Sequence, residues 1–416
     1  MLVTFVNFLY SGFLRIILSA VLIIISLFSI QGQELSEKAS VSVLTCAPGN
    51  ELYSVFGHTA IRVSDPKNEI DLVFNYGTFD FNTSFFYLKF GHGNLDYLLS
   101  VTSFKNFLRE YFVTGRTVWQ QELNLTKAQK DRLFRALMFN ARPENRAYRY
   151  DFFYDNCATR VADIIIEQLP GNIYFETESA STTALTFRKA IHPYLEKKTW
   201  TKTGIDLILG AKADSKTDSL TVMFLPDFLM EQFAGIKYQN SDGNIVDLVK
   251  SQSVVLDFTG QDIPEAHSTA SPSLIFWGLF GLILFLSFAE VFGTVSLRFF
   301  DVALYLIAGI AGIVISYLAF ISNHSVTNPN WNLLWANPLW LVLITNVKTI
   351  WITFVKNVLV ILLFVFFVSV AFLPQYIPNE FIAVSLILFL RSSPGVVKWS
   401  LKRMKLNLNT NRHDPK

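Results

Sequence analysis

The stretch Tyr150-Asp-Phe-Phe-Tyr-Asp-Asn-Cys-Ala-Thr-Arg160 marks the start of a helix in the middle of this 416-residue chain. Asp155 and Asn156 are residue types that favour helix starts. After Cys157, apolar residues recur at helical spacing: Val161, Ile164, Ile165 and Leu169. In the first turn of a helix, free backbone N–H groups and the positive end of the helix dipole favour a thiolate. The pattern therefore predicts a helix packed on a core, with Cys157 as a nucleophile at its start.

A histidine upstream of this helix is the predicted base. The stretch Phe56-Gly-His-Thr-Ala-Ile-Arg-Val63 is typical of a strand whose side chains alternate between two faces, with His58, Ala60 and Arg62 on the same face. Imidazole can take a thiol proton and return it to a leaving group, so a Cys–His pair suits acyl transfer. A third polar group usually orients the ring, and Asn75 or Tyr76 on the next strand could supply it. The alternatives are an inert core cysteine and a hydrogen-bonded core histidine.

The remaining cysteine and histidines are alternative candidates for the nucleophile and the base. Cys46 precedes Ala-Pro-Gly with no helix start, so it is interpreted as structural, with the nucleophile as its alternative role. A Cys46–Cys157 disulfide in an oxidising compartment would instead leave a non-catalytic module. His92 is the alternative base, and His192 before Pro193 has a weaker case. The histidines and cysteines show no HExxH or CxxC spacing, so neither a metal nor another cofactor is predicted.

The composition indicates a chain that is partly embedded in lipid. Apolar residues make up 51% and charged residues only 16%, against roughly 25% charged in ordinary soluble proteins. The net charge of +2 gives no reason to expect nucleic acid as a partner. Residues 1–32 carry an apolar run behind Arg15 and predict a signal peptide or N-terminal anchor.

The predicted layout is an exported domain at residues 33–270, a transmembrane domain at 271–395 and a basic cytoplasmic tail at 396–416. The exported part has strands, then a helix at Lys127 to Arg142 capped by Thr126, then the cysteine helix, which is an α+β order. The region from residue 171 to 213 is predicted to be irregular. Residues 239–270 are interpreted as a polar linker.

Apolar segments dominate the chain after residue 270. Five are candidates for membrane crossing: Ser271–Ala289, Val302–Asn323, Pro338–Asn346, Thr349–Leu373 and Tyr376–Leu390. The segment at 338–346 is short and reads as a crossing or a half-helix. With about five segments, Arg298, Lys348 and the basic tail all face the cytoplasm, whereas four would put the tail outside. We therefore predict about five.

The loop at residues 322–337 is expected on the same outer side as the exported domain. It is rich in Asn, Trp and His, which is typical either of an aromatic belt at the membrane interface or of a polar lip that holds a lipid headgroup. Phenylalanines around the cysteine site are candidates for an acyl groove, with ordinary core packing as the alternative. These candidates are Phe74, Phe79, Phe81, Phe85, Phe86 and Phe90.

The order of a histidine strand followed by a cysteine helix resembles the circularly permuted NlpC/P60 group of papain-like thiol enzymes, which includes lecithin:retinol acyltransferase-like proteins. Four stretches more closely resemble the Lnb family of bacterial envelope proteins: Thr45–Arg62, Phe74–Asp80, Tyr154–Arg160 and Asn330–Trp335. This resemblance extends over nearly the whole chain. It implies an α+β papain-like domain of the permuted NlpC/P60 type in the periplasm, followed by an all-α transmembrane bundle of about five segments at the inner membrane.

The activity implied by the resemblance is lipoprotein N-acylation. An acyl chain would pass from a phospholipid to the enzyme as a thioester, and then to the α-amino group of a diacylated lipoprotein. The resemblance puts the nucleophile on Cys157 and the base on His58, although Cys46 also lies in a matching stretch. The residues predicted to contact substrate are Arg62, Asn156, Arg160, His324, Asn330, Trp331 and Trp335. The alternatives are a tethered cysteine amidase or peptidase acting on peptidoglycan, a phospholipase, and a non-catalytic binding module on a membrane scaffold.

Overall fold

A computed structural model describes residues 34–175, 185–240, 242–260, 270–293, 295–345 and 348–393. The predicted signal segment at 1–32 and the predicted tail at 396–416 lie outside the described residues. Within the described ranges, the chain has a mixed α/β part followed by a helical part.

The α/β part is built on a seven-stranded antiparallel sheet. Its strands are β1 (Ser40–Cys46), β2 (His58–Asp65), β3 (Ile70–Thr78), β4 (Asp96–Ser103), β5 (Val118–Leu123), β6 (Ala147–Arg149) and β10 (Val249–Leu256). They lie in the order β10-β5-β1-β2-β3-β4-β6. A second sheet holds β7 (Ile173–Phe175), β8 (Ile236–Gln239) and β9 (Ile245–Asp247). The strand predicted at His58 and the next one, which bears Asn75 and Tyr76, are confirmed as β2 and β3.

Seven helices accompany these sheets in the described ranges before residue 270. They are α1 (Phe86–His92), α2 (Phe104–Val113), α3 (Lys127–Asn140), α4 (Cys157–Ile166), α5 (Phe187–Ile191), α6 (Thr199–Ile208) and α7 (Pro226–Gly235). The predicted start of α3 is confirmed, because Thr126 and Gln129 cap it reciprocally. The predicted start of α4 is confirmed as well: Asn156 is the cap, and Cys157 is the first helical residue.

The main sheet separates two cores, and β2 contributes to both. Its Ile61 and Val63 join the larger core together with Val161 and Ile165 of α4. Its Ala60 lies on the other face, in a core formed with α2. The alternation predicted for this strand is therefore confirmed, and it holds the cysteine helix against the sheet.

Two predictions about irregular structure are wrong. The interpreted linker at 239–270 contains β9 and β10, and β10 extends the main sheet beside β5. Most residues of β10 are exposed, so this edge strand lacks the apolar run that marks a buried one. The region at 171–213 contains β7, α5 and α6.

The membrane part holds three helices that are long and apolar enough to cross a bilayer among the described residues. They are α8 (Pro272–Val291), α9 (Arg298–Phe320) and α10 (Thr349–Ser369), and a shorter α11 (Asn379–Ser392) follows. Residues Pro338–Ile344 form a 3-10 helix. This segment packs closely on α9, since a Cβ added at Gly312 would lie 2.6 Å from the Pro338 nitrogen.

The two parts of the chain are joined by hydrogen bonds to backbone groups. The Asn330 side chain donates to the carbonyl oxygens of Leu207 and Ile208 at 3.0 and 3.2 Å. The Gly210 backbone N–H donates to the Val326 carbonyl at 2.8 Å. These bonds fix the α/β part against the loop that follows α9.

Candidate active site

The Cys157 thiol lies where α4 begins, against the central strands β2 and β3 of the main sheet. Its side chain is half-buried. The backbone N–H groups of Thr59 and Ala158 are directed at the sulfur. Thr59 follows His58 in β2, so the thiol contacts the backbone of this strand one residue beyond the predicted base, whose ring lies on the Cys46 side of the sheet.

A glycine on the neighbouring strand makes room for this thiol. A Cβ at Gly77 would lie 3.4 Å from the Cβ of Cys157, and the residue has φ +90, which an L side chain rarely adopts. The pairing of β3 with β4 shifts register between Asn75 and Thr78, around this glycine. The prediction from the sequence missed Gly77, although a glycine inside a strand pattern is a recognised signal of a bulge or close approach.

The His58 ring is oriented by Asn75. Its Nε2 lies 2.5 Å from the Asn75 Oδ1. Tyr76, the alternative, faces the other side of the sheet, where its hydroxyl accepts from the Asn140 amide at 3.0 Å. An amide oxygen can only accept, so Nε2 carries the proton and Nδ1 keeps the lone pair that a base needs.

Burial holds both groups in their neutral forms. It raises the pKa of Cys157 to about 11, while the backbone N–H groups of Thr59, Ala158 and Cys157 act in the opposite direction. Burial likewise lowers the pKa of His58 to about 4, against the raising effect of the Asn75 hydrogen bond. The N–H groups at the helix start favour the thiolate as predicted, but burial outweighs them and the pKa of Cys157 is raised in the resting site. A helix end contributes about 0.3–1 kcal/mol, which desolvation outweighs here.

Cys46 is fully enclosed on the opposite face from α4. It is 0% exposed, and burial raises its pKa to about 12, with a Tyr111 hydrogen bond opposing that shift. Both cysteines are free thiols. The alternative of a Cys46–Cys157 disulfide is therefore contradicted, and the accessible thiol is Cys157.

Arg160 lies about one helical turn beyond Cys157 in α4. It pairs with Asp155 and stacks over the Tyr148 ring at 3.7 Å. The Tyr148 hydroxyl in turn lies 3.8 Å from the Cβ position at Gly77. Arg160 therefore approaches the site through Tyr148, and its contact with a substrate stays a prediction.

Two other predicted substrate contacts have structural partners. Arg62 pairs with Asp71 at 2.7 Å and lies over the Phe104 ring, further along β2 from His58. Asn156 is buried: its Oδ1 accepts from two helix N–H groups, and its Nδ2 donates to two carbonyls. Its polar atoms are thus used to cap α4, and none is left for a substrate.

The predicted contacts in the loop at 322–337 lie at the junction between the two parts. Asn330 and Trp335 are buried, and the Trp335 indole N–H donates to Asn332 at 2.9 Å. His324 contacts the carbonyl of Phe90 at 3.2 Å. The buried indole nitrogen of Trp331 has no hydrogen-bond partner among the described residues. Asn330 therefore holds the parts together and Trp335 packs within the membrane part on Phe381, so the polar-lip interpretation does not apply to either.

The remaining histidines contact groups other than Cys157. The His92 Nδ1 lies 2.7 Å from the Tyr317 hydroxyl at the end of α9. His192 contacts Asp206 at 3.0 Å, beside the buried Arg188. In the part of the chain that the structure describes, no group of three His, Cys, Asp or Glu residues is arranged to hold a metal ion.

The fold and this site define a class: a membrane protein in which a mixed α/β domain with an accessible thiol precedes a helical membrane region. Residues 31–190 match the family model for the Lnb N-terminal periplasmic domain, and residues 264–402 match the one for the Lnb transmembrane domain. The chain belongs to the Lnb family, and its α/β domain is periplasmic. No curated protein and no solved structure matches the chain.

Proposed function

We propose that this protein is a lipoprotein N-acyltransferase of the inner membrane that uses a cysteine thioester. The observation that carries the proposal is the accessible Cys157 thiol beside the strand that bears the His58–Asn75 pair. The donor is a membrane phospholipid, and the acceptor is the α-amino group of a diacylglyceryl-modified lipoprotein cysteine.

The first half-reaction forms the acyl-enzyme. The Nδ1 of His58 takes the thiol proton while the Cys157 sulfur attacks the ester carbonyl of the phospholipid. The ester C–O bond breaks, and the lysophospholipid alcohol leaves with the proton that the imidazole returns. Asn75 keeps the ring in the tautomer that this proton transfer requires.

The second half-reaction consumes the thioester. The α-amino group of the lipoprotein attacks the acyl carbonyl, the C–S bond breaks, and an amide forms. His58 takes the proton that the attacking amine loses and passes it to the departing sulfur, which restores the neutral pair. At neutral pH the imidazole of His58 is unprotonated and has a free lone pair, and its lowered pKa makes it a weaker base than an exposed histidine.

The same interpretation extends to the fold. A histidine whose Nε2 meets an amide oxygen, on a strand that precedes the cysteine helix, supports a papain-like domain of the permuted type. Two contacts of α11 support an odd number of membrane passages, because they place its two ends on opposite sides of the membrane part. Glu380 at its start accepts from Thr203 of the α/β domain, whereas Arg391 at its end pairs with Glu290 near the end of α8 and Asp301 near the start of α9.

These ends support the proposed count of about five passages. If α8, α9, α10 and α11 each cross, the stretch between α9 and α10 has to cross as well. Its Pro338–Ile344 turn lies at mid-length on α9, where Gly309 meets Leu341. We propose that this stretch is the remaining, non-α-helical passage, which is tolerated because it is enclosed by protein.

An intact-mass measurement tests the reaction. We expect the full-length protein in phospholipid vesicles to gain the mass of one acyl chain, and Cys157→Ala to gain none. Cys46→Ala is the matched control and should acylate like the wild type, because Cys46 is enclosed. Addition of a diacylglyceryl lipopeptide should then yield the triacylated product.

Other products would point to the alternatives. Free fatty acid without triacylated peptide would indicate a phospholipase. Release of muropeptides from peptidoglycan by the wild type and not by Cys157→Ala would indicate an amidase or peptidase. An unmodified wild-type protein that also releases neither product would leave a non-catalytic binding module and refute the proposal.

A further inference from the structure

Helix α1 exposes an apolar surface that is unusual for a periplasmic domain. Phe85, Tyr87, Leu88 and Phe90 are 75%, 81%, 71% and 52% exposed. The sequence from Phe85 to His92 contains no acidic residue, and its one lysine is Lys89. A contiguous exposed apolar surface of this kind marks an interaction site. We refer to these four exposed residues as the α1 face.

The backbone at the start of α1 supports a functional reason for this exposure. Phe85 has φ 58, in the left-handed region, although it is not a glycine. A bulky residue in this region costs of order 1 kcal/mol or more. The protein therefore accepts backbone strain at the point where the Phe85 ring turns outward.

The end of α1 is attached to the periplasmic end of a membrane helix. His92 contacts the Tyr317 hydroxyl of α9 at 2.7 Å, and its carbonyl accepts from the Asn323 backbone N–H at 2.8 Å. The next residue, Gly93, leaves only 3.2 Å between its Cβ position and the His324 nitrogen. These bonds fix α1 at the end of a helix that is long and apolar enough to cross the bilayer, which is where lipid headgroups are expected.

A row of aromatic rings leads from α1 toward the thiol. Phe86 of α1 packs on Phe79 with 5.8 Å between ring centroids, and Phe79 packs on Tyr97 at 5.3 Å. Tyr97 stacks on Tyr150 at 4.1 Å. Tyr150 lies near enough to Cys157 for their charges to interact. Among the phenylalanines considered for an acyl groove, Phe74 is excluded from this row because it is fully buried against Phe134.

We propose that the α1 face inserts into the periplasmic leaflet of the bilayer, and that phospholipid acyl chains are what cover it. Lys89 is the cation expected beside lipid phosphate in an interfacial helix. A further step rests on the proposed function: the aromatic row carries the donor acyl chain from the α1 face to Cys157. Apolar rings suit that path because they contact an acyl chain favourably and form no hydrogen bonds that would retain water.

Site-directed spin labelling tests the insertion without any acyl transfer. Leu88→Cys is labelled with a nitroxide in the full-length Cys157→Ser protein, where the remaining Cys46 is enclosed. In phosphatidylglycerol and phosphatidylethanolamine vesicles, we expect the label to be relaxed by oxygen more than by a water-soluble nickel chelate. Ile245→Cys, at an equally apolar and 60% exposed position of β9, is the matched control and should show the reverse.

Two outcomes would overturn the insertion. A label at position 88 that responds mainly to the nickel chelate would mean that the α1 face lies in water. A label shielded from both agents would mean that a protein, such as a second copy of this chain, covers it. Neither outcome depends on whether Cys157 is a nucleophile, so failure of the insertion is distinguishable from failure of the proposed reaction.

The delivery step has its own measurement. Leu88→Asp should slow acyl-enzyme formation from vesicle phospholipid about tenfold or more, because a buried carboxylate opposes insertion. It should leave acylation from a short, water-soluble acyl thioester unchanged, and Ile245→Asp should affect neither. Equal rates for Leu88→Asp and the wild type on vesicles would overturn the delivery role.

Discussion

The neutral state of the Cys157 thiol can be tested by alkylation with iodoacetamide across pH. A thiol with a pKa of about 11 is ionised to about one part in ten thousand at pH 7, against one part in a hundred for the ordinary value of 9.0. The more basic thiolate is intrinsically about tenfold more nucleophilic, which offsets part of this hundredfold deficit. We therefore expect alkylation about tenfold slower than that of a cysteine peptide at pH 7.

The pH profile carries more information than the single rate. Between about pH 6 and 9, the alkylation rate should rise roughly tenfold per pH unit, because only the thiolate reacts. The assay is intact mass after timed exposure, with Cys157→Ser as the unreactive control. His58→Ala should keep the same slope, since a neutral imidazole with a pKa of about 4 supplies no charge in this range. A plateau through neutral pH that disappears in His58→Ala would refute the reasoning, because it would require a resting thiolate–imidazolium pair.

Two further substitutions test the orientation of the base and the packing of the membrane part. Asn75→Asp places a carboxylate against the imidazole, which raises the pKa of His58, so the acid limb of acyl-enzyme formation should move from about pH 4 toward neutrality. A profile that does not move would contradict the contact between the two side chains. Gly312→Val drives a side chain into the backbone of the turn at Pro338, and overpacking of this kind costs about 1–3 kcal/mol. Its thermal midpoint in detergent should fall by several degrees, whereas Gly278→Val, with nothing within 4 Å, should leave the midpoint unchanged.

The parts of the fold that could be predicted from the sequence depend on local chemistry. Asn156 caps α4 through its own neighbours, so the position of Cys157 at a helix start is encoded within a few residues. The two faces of β2 follow from simple alternation. The edge strand β10 escaped prediction because an exposed strand needs no apolar pattern and is recognised only by its partner, β5.

The chemistry of the site depends on contacts that are distant in sequence. Asn75 rather than Tyr76 meets His58 because of the register between β2 and β3 and the face on which each side chain lies. The raised pKa of Cys157 arises from burial by the assembled sheet and helices, which the helix start alone does not reveal. In the same way, Asn330 is recognisable as a connecting residue only once α6 is in place to receive its hydrogen bonds.

The bonds from Asn330 and Gly210 across the junction fix the elevation of the thiol above the bilayer. In the proposed reaction, this fixed height selects amines that are held at the same distance from the membrane. An amine only a few bonds from its own lipid anchor is presented at a constant height, so it meets the thioester by sliding in the plane of the membrane. A peptide without a lipid anchor has to reach the same point by diffusion in three dimensions. The rigid junction therefore favours a lipoprotein over a free peptide by the length of the tether between amine and lipid, as well as by chemistry.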